Sequence, residues 1–274
     1  MIPKVIHYVW VGSTDKPARV KSCIESWRKF CPDYKIVEWN DEVLPSIKNR
    51  YLHEAYKAGK WAFVSDVLRL HALLSGGIYC DTDVEITRNI DEFLRNSFFM
   101  SFEFNPSIQK QVKVPSTALI GAEANNKIIR EMLKEYDNIG LIKEEGSFDL
   151  TTNVIRFDRF FKNNFPQYSK DRSINELKIL EPGILIYPYY YFCLPKDEYL
   201  NYAIHNFEGS WLPPVSQKVI LELHSEVFDW VNFKILSFRK SKTFTSDVDW
   251  PPKAKEKLIF KIPWIKNSLL AIYK

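Results

Sequence analysis

The chain is short of glycine: it holds nine, against fifteen prolines, in 274 residues. It has no glycine-rich or low-complexity tract and no internal repeat, which excludes solenoid and fibrous architectures and points to loops of fixed shape. Cysteine is scarce as well. Cys23, Cys31, Cys80 and Cys193 have neither the spacing of a metal cluster nor that of a disulfide framework, so the expectation is four reduced thiols in a cytoplasmic setting. No stretch reaches the roughly 18 apolar residues of a membrane-spanning helix. The opening MIPKVIHYVWVG lacks the long apolar run and small-residue cleavage site of a secretory leader, and no signal peptide is expected. What is present is a globular composition, 46% hydrophobic and 15% aromatic. The length suits one large domain or one domain with an appendage.

Charge is unevenly spread. Residues 234–274 hold ten Lys/Arg against three acids, a net of +7, whereas the whole chain carries +4, so residues 1–233 carry −3. The expected division is therefore 1–233 for the main domain and 234–274 for a basic, aromatic appendage. Within residues 253–274 the lysines alternate with Leu258, Phe260, Trp264, Leu269 and Tyr273. Such a segment suits an anionic membrane surface; a C-terminal helix docked on the domain fits equally. Beyond charge there is no nucleic-acid motif, and no nucleic-acid partner is expected.

The most informative stretch is residues 63–85, FVSDVLRLHALLSGGIYCDTDVE. Phe63, Val67, Leu70 and Leu74 recur on one helical face. Asp66 and Arg69, three apart, share another. Gly76-Gly77 is a helix stop, and Ile78-Tyr79-Cys80 reads as a short strand. In an extended chain Asp81 and Asp83 project to the same side. Hard oxygens so placed suit Mn²⁺ or Mg²⁺, which fill their remaining positions with phosphate oxygens and water. An isolated Asp-x-Asp is common at solvated strand ends, and Asp66 with Arg69 alone would be an ordinary helix pair. Their position beside an apolar strand, where open α/β sheets place ligands, favours a site.

This stretch resembles the core motif of the DXD-containing sugar transferases of glycosyltransferase family 32, and is similar to the glucosyltransferase domain of the large clostridial toxins. The shared pattern is Ser-Asp-x-x-Arg, a helix, then Gly-Gly-x-Tyr-x-Asp-x-Asp, and Ser65, Asp66, Arg69, Gly76, Gly77, Tyr79, Asp81 and Asp83 fill it. The opening, Ile-Pro-Lys-x-Ile-His-x-x-Trp-x-Gly, and the later His205 with Ser210-Trp211 extend the resemblance. It covers residues 1–100 and, less fully, 180–211. It implies a GT-A fold, a Rossmann-like α/β/α sandwich, and a metal-dependent retaining transferase. A nucleotide sugar, expected to be a UDP-hexose, would be the donor, and a saccharide or lipid-linked oligosaccharide the acceptor. The basic tail and missing leader place such an enzyme at the inner face of a bacterial membrane, working on polysaccharide or capsule precursors.

By that resemblance Val9 and Trp10 line the base pocket, with Trp10 stacking on the base; a plain core role for Trp10 is also open. Ser65 and Tyr79 belong to the donor site. Asp66 and Arg69 would hold donor-sugar hydroxyls, Asp81 the ribose, and Asp83, His205 and Ser210 the metal. Trp211 would close over the diphosphate and donate to the leaving oxygen. Retention could proceed on one face, or through a carboxylate nucleophile for which Glu103 and Asp158 are the occupants available. His7 reads as a packed core histidine. Alternatives from other classes are a non-catalytic carbohydrate-binding protein and a metal-dependent phosphohydrolase. The latter expects Gly or Thr after its DxD, where this chain has Val84-Glu85.

The remaining pattern predicts strands over 4–12, 35–39, 98–104 and 118–123. Helices are predicted over 17–30, 45–56, 89–95, 127–136 and 153–165, with a loop at 137–150. Strand and turn are expected over 179–191, whose tyrosines suit either a sugar platform or a core edge. Thr151, Thr152 and Asn153 supply an N-cap, and such a helix start can also hydrogen-bond a sugar.

Overall fold

The structure is a computed structural model that describes residues 1–12, 15–104, 113–170, 173–196 and 199–208. It opens with a strand-helix-strand unit: β1 (Val5–Val9), α1 (Ala18–Phe30) and β2 (Lys35–Trp39). A 3-10 turn over Asp41–Ser46 leads to α2 (Arg50–Lys57) and α3 (Trp61–Leu73), then β3 (Gly77–Cys80) and β4 (Val84–Ile86). The second half holds β5 (Phe98–Phe102), β6 (Pro115–Ala122), α4 (Lys127–Asp137), α5 (Asn153–Asn164), β7 (Lys178–Glu181), β8 (Ile184–Tyr187), α6 (Tyr189–Phe192) and β9 (Ala203–His205).

Among the described residues the main sheet has seven strands in the order β2-β1-β3-β6-β5-β8-β7. β1 pairs in parallel with both β2 and β3, and β5 with β8; the contacts of β6 with β3 and β5, and of β7 with β8, are antiparallel. Helices cover both faces. Val64, Val67 and Leu68 of α3 pack on one side with Tyr51 of α2, Met132 of α4 and Phe157 of α5. Val20, Ile24 and Trp27 of α1 pack on the other. The α/β/α layering expected from the sequence is present. Its parallel character is confined to β2-β1-β3 and the β5/β8 pair. β4 and β9 form a separate antiparallel ribbon.

Several elements differ from expectation for local reasons. The helix expected over 45–56 is two pieces: Pro45 sits in the 3-10 turn, and Asn49 starts α2 by accepting from the Leu52 N–H at 2.9 Å. The expected helix near residue 90 is a single 3-10 turn over Asp91–Phe93. Residues 179–191 form the β7/β8 hairpin and one helical turn. There Tyr187 and Tyr189 are 8% exposed and Tyr187 meets Phe93 edge-on at 5.0 Å, a core edge rather than an open platform. The loop 137–150 carries a bridge between Ile142 and Phe148. All four cysteines are free and buried. His7 is buried, its ring at 3.1 Å from the Gly76 carbonyl and accepting from the Trp39 indole.

The helix stop before β3 behaves as read. Gly76 has φ +77 and its N–H bonds the Leu73 carbonyl at 3.0 Å. A Cβ on Gly77, φ +131, would lie 2.8 Å from the Val5 carbonyl oxygen, so the close approach of β1 and β3 requires glycine. The division at 233/234 and the basic segment 234–274 lie outside the described residues. No helix among the described residues is long and apolar enough to cross a membrane.

Candidate metal and sugar-nucleotide site

β3 runs in the middle of the sheet and delivers Asp81 just past its end. Asp81 N–H bonds the Ala118 carbonyl of β6 at 2.7 Å, and Val84 N–H bonds the Asp81 carbonyl at 3.0 Å. Asp81-Thr82-Asp83 is thus a turn, not the extended strand end that the alternation argument assumed. The turn still brings the two carboxylates together, and it is followed by β4, which the sequence did not reveal. In the β4/β9 ribbon Val84 lies opposite His205, which sets the imidazole beside Asp83. Ligand atoms of Asp81, Asp83 and His205 lie within 4.8 Å of one another. Asn206 ties this ribbon down through its backbone N–H (3.0 Å) and side-chain amide (2.7 Å), both donating to the Asp83 carbonyl.

Arg69 stands behind the carboxylates. It is 4% exposed. Its Nη2 lies 3.3 Å from Asp81 Oδ1 and 3.3 Å from Asp66 Oδ1, and donates to Ser65 Oγ at 3.2 Å. Its Nη1 donates to the Thr117 carbonyl at 3.0 Å and its Nε to the Ser65 carbonyl at 3.3 Å. The Tyr79 ring lies 4.7 Å beneath the guanidinium, and the Tyr79 hydroxyl donates to Asp81 Oδ1 at 2.6 Å. Each of the three guanidinium nitrogens has an acceptor, as burial of the charge requires.

The charges respond to this packing. Burial raises Asp81, against the pull of Arg69. Burial would raise Asp83 too, but His205 and the Glu208 N–H, 3.1 Å from Asp83 Oδ2, outweigh it and hold Asp83 below the usual carboxylate range. Burial opposes protonation of His205, yet the Asp83 carboxylate lifts its pKa well above the ordinary value. Burial keeps the Tyr79 phenol protonated and so a donor. Asp66, Asp81 and Asp83 outnumber the cations Arg69 and protonated His205, so an excess of negative charge remains, and a cation bound to the imidazole would displace its proton. Two carboxylates and an imidazole fit a divalent cation, with the mixed oxygen and nitrogen donors suited to Mn²⁺ and the carboxylates alone to Mg²⁺. His205 Nε2 faces Asp83 Oδ2 at 3.5 Å, the Cys193 thiol interacts with the same ring, and the buried Nδ1 has no hydrogen-bond partner.

Asp66 is also a structural hub. It is 6% exposed, and its Oδ2 accepts the Asn153 N–H at 3.0 Å. Thr152 occupies the N-cap position of α5 but makes no cap bond. The cap expected from Thr151 to Asn153 is supplied instead by Asp66, from α3. Asn153, wholly buried, donates from its amide to the Asp66 carbonyl at 2.7 Å and accepts the Tyr136 hydroxyl at 2.6 Å. Burial pushes Asp66 up to about 6, against the pull of Arg69. Thr117 was not singled out from sequence, and Asn153 was read only as part of an N-cap that could also hydrogen-bond a sugar. Both act through contacts between residues far apart in the chain; the one local signal was the cap-like Thr-Thr-Asn run.

Val9 is 7% exposed and packed in the α3-side core, so its backbone is what it can offer a base. Trp10, half-buried, packs on the opposite side of the sheet with a buried indole N–H lacking a partner and Lys16 Nζ 5.9 Å from its ring. Glu103, at the end of β5, is raised by burial and feels both His205 and Asp81. Asp158 is engaged elsewhere, by Lys162 and by the Tyr168 hydroxyl at 2.9 Å. Ser210 and Trp211 lie outside the described residues.

Residues 17–100 match the family described as the glycosyltransferase sugar-binding region containing a DXD motif. The matched segment holds Ser65, Asp66, Arg69, Tyr79, Asp81 and Asp83. An uncharacterized glycosyltransferase, L373, of Acanthamoeba polyphaga mimivirus is 23% identical over 194 residues, 68% of this chain and 73% of that protein. Among solved structures, the PaToxG glycosyltransferase is 20% identical, with 60% of this chain and 70% of that one covered and a TM-score of 0.45. A glycosyltransferase involved in the glycosylation of the major capsid of PBCV-1 is 11% identical, covering 81% and 100% at a TM-score of 0.43.

Replacing Asn153 by Ala keeps the backbone bond to Asp66 but orphans the Tyr136 hydroxyl and removes a second bond to the Asp66 carbonyl, which keeps its helical partner. A loss of about 1–3 kcal/mol is expected in urea unfolding. Adding Tyr136→Phe to that variant should recover part of the loss; strict additivity of the two changes would contradict the network.

Proposed function

We propose that this protein is a metal-dependent, retaining glycosyltransferase that moves a hexose from a UDP-linked donor to a saccharide acceptor. The observation that carries the reading is the convergence of Asp81, Asp83 and His205 within 4.8 Å, backed by the buried Arg69 fork. Asp83, Asp81 and His205 would hold Mn²⁺, with Ser210 adding an oxygen. A cation held there supplies Lewis-acid stabilisation of the charge that grows on the leaving diphosphate.

The chain's own groups do the rest. Tyr79 and Arg69 orient Asp81, so that its free oxygen faces the site. Arg69 and Asp66 border the donor hexose, and Trp10 offers a face for the base. Transfer forms a bond from the acceptor hydroxyl oxygen to the anomeric carbon and breaks the bond from that carbon to the diphosphate oxygen. The hydroxyl proton leaves to the departing diphosphate. The Trp211 N–H, by family resemblance, would stabilise that oxygen. Retention on one face needs no protein nucleophile. If a covalent step intervenes, Glu103 is better placed than Asp158, whose carboxylate is occupied.

Thermal shifts with UDP, GDP, CMP and ADP, each with and without Mn²⁺, test the reading. UDP should stabilise the protein only with Mn²⁺, by about 2.7 kcal/mol at a hundredfold excess over Kd, and Asp83→Ala should abolish the increment. A metal-independent shift, or an unchanged increment in Asp83→Ala, would contradict the site.

We also propose that the basic segment 253–274 holds the enzyme on the anionic inner face of a membrane, where a lipid-linked polysaccharide precursor would be the acceptor. Its charge and interleaved aromatics support this. Deleting residues 251–274 should release the protein from anionic liposomes in flotation; undiminished flotation would sink the idea.

A further inference from the structure

α3 carries three residues at intervals of four, Trp61, Ser65 and Arg69, in one row along the helix. The row runs from floor to rim. Arg69 is 4% exposed and touches Asp81, Ser65 is half-buried and bonded to Arg69, and Trp61 is 41% exposed. At ~1.5 Å per residue, Trp61 stands roughly 12 Å above Arg69. Its indole is open yet held. It lies over Gly12, where a Cβ would come within 2.4 Å of the Trp61 ring, and Tyr56 meets it edge-on at 5.3 Å. Gly12, at φ +71, follows Val11 beyond the end of β1.

A second aromatic stands nearby. Lys60, which precedes Trp61, places its Nζ 5.5 Å over the Phe148 ring, and Phe148 is 40% exposed. Leu150, 46% exposed, follows two residues later and leads directly to Asn153, whose N–H binds Asp66. The apolar rim is therefore continuous at both ends with the polar site: through the α3 row to Arg69, and through residues 150–153 to Asp66.

We propose that Trp61 and Phe148 form the platform for a saccharide acceptor, stacking a ring of it adjacent to the one that reacts. This rests on the glycosyltransferase reading above. An attacking hydroxyl must come within ~3–3.5 Å of the anomeric carbon, so the rest of the acceptor leaves past the rim. The C–H faces of a pyranose are apolar and pack on an aromatic face. A ring already pinned by Gly12 and Tyr56 loses little freedom on binding. The Lys60 ammonium beside Phe148 supplies a donor for ring hydroxyls or an acidic sugar.

The test uses the full chain with Mn²⁺, a panel of UDP-hexoses, and a panel of p-nitrophenyl mono- and disaccharides and longer oligosaccharides as acceptors, with UDP release and product formation measured. Trp61→Ala should raise acceptor KM about tenfold, the scale of an aromatic contact, while Mn²⁺-dependent UDP affinity is retained. Trp61→Phe should restore most of the difference. Phe148→Ala, on a separate loop, should weaken acceptor binding in the same direction and guards against misfolding of α3. Unchanged acceptor KM in Trp61→Ala overturns the platform. So does a matched loss of UDP affinity, which would put Trp61 in the donor pocket, or a wild type that releases UDP but glycosylates no saccharide of the panel. A wild type with neither UDP binding nor UDP release would overturn the UDP-hexose transferase reading itself.

Discussion

The guanidinium of Arg69 is the contact on which the site depends. A cation buried this deeply is tolerated only when its donors are all met and its charge is balanced. Here Asp66 and Asp81 balance it, and Ser65 and the Thr117 carbonyl accept further N–H groups. These partners come from α3, from β6 and from the turn after β3, so one side chain fixes three elements around the end of the sheet. Losing it would deprive buried Asp66 and half-buried Asp81 of their nearest counter-charge. It also opposes the upward push of burial on Asp81, and so favours the ionised form.

The second constraint is the β4/β9 ribbon. It is only three residues long on each side, and the main sheet does not include it. Its consequence is chemical: it closes a separation of more than a hundred residues and sets an imidazole beside Asp83. The same pairing brings Asn206 and Glu208 to cap the Asp83 carbonyl and carboxylate. Arg19 of α1 reaches this segment as well, through Asn206 and Glu208. The site is therefore held from behind by Arg69 and from the side by the ribbon.

What could be read from sequence was what depends on near neighbours in the chain. The apolar period of α3, the Gly76-Gly77 stop and the short strand before Asp81 are local, and all three are present. The pairing of Asp81 with Asp83 was anticipated by alternation along a strand, whereas a turn achieves it. β4 was missed because three residues carry too little pattern. The broken helix near residue 45 was missed because its apolar spacing hid the effect of Pro45 and the better cap at Asn49. His205 and the Ser65-to-Asp83 set were legible through family resemblance rather than periodicity. The capping of α5 by Asp66 was legible by neither route, since it joins residues 87 apart through a carboxylate already assigned to the sugar.

Asp66 thus has two roles that compete for one carboxylate: its Oδ2 holds α5 and its Oδ1 faces Arg69. The buried Arg69 fork and the docking of α5 are thereby linked through a single side chain. The most direct measurement on the central claim is pulsed EPR of the protein loaded with Mn²⁺ and UDP. The account predicts one imidazole ¹⁴N coupling that disappears in His205→Ala, together with ³¹P couplings from the diphosphate. A manganese signal showing neither coupling, or a nitrogen coupling that survives His205→Ala, would contradict it.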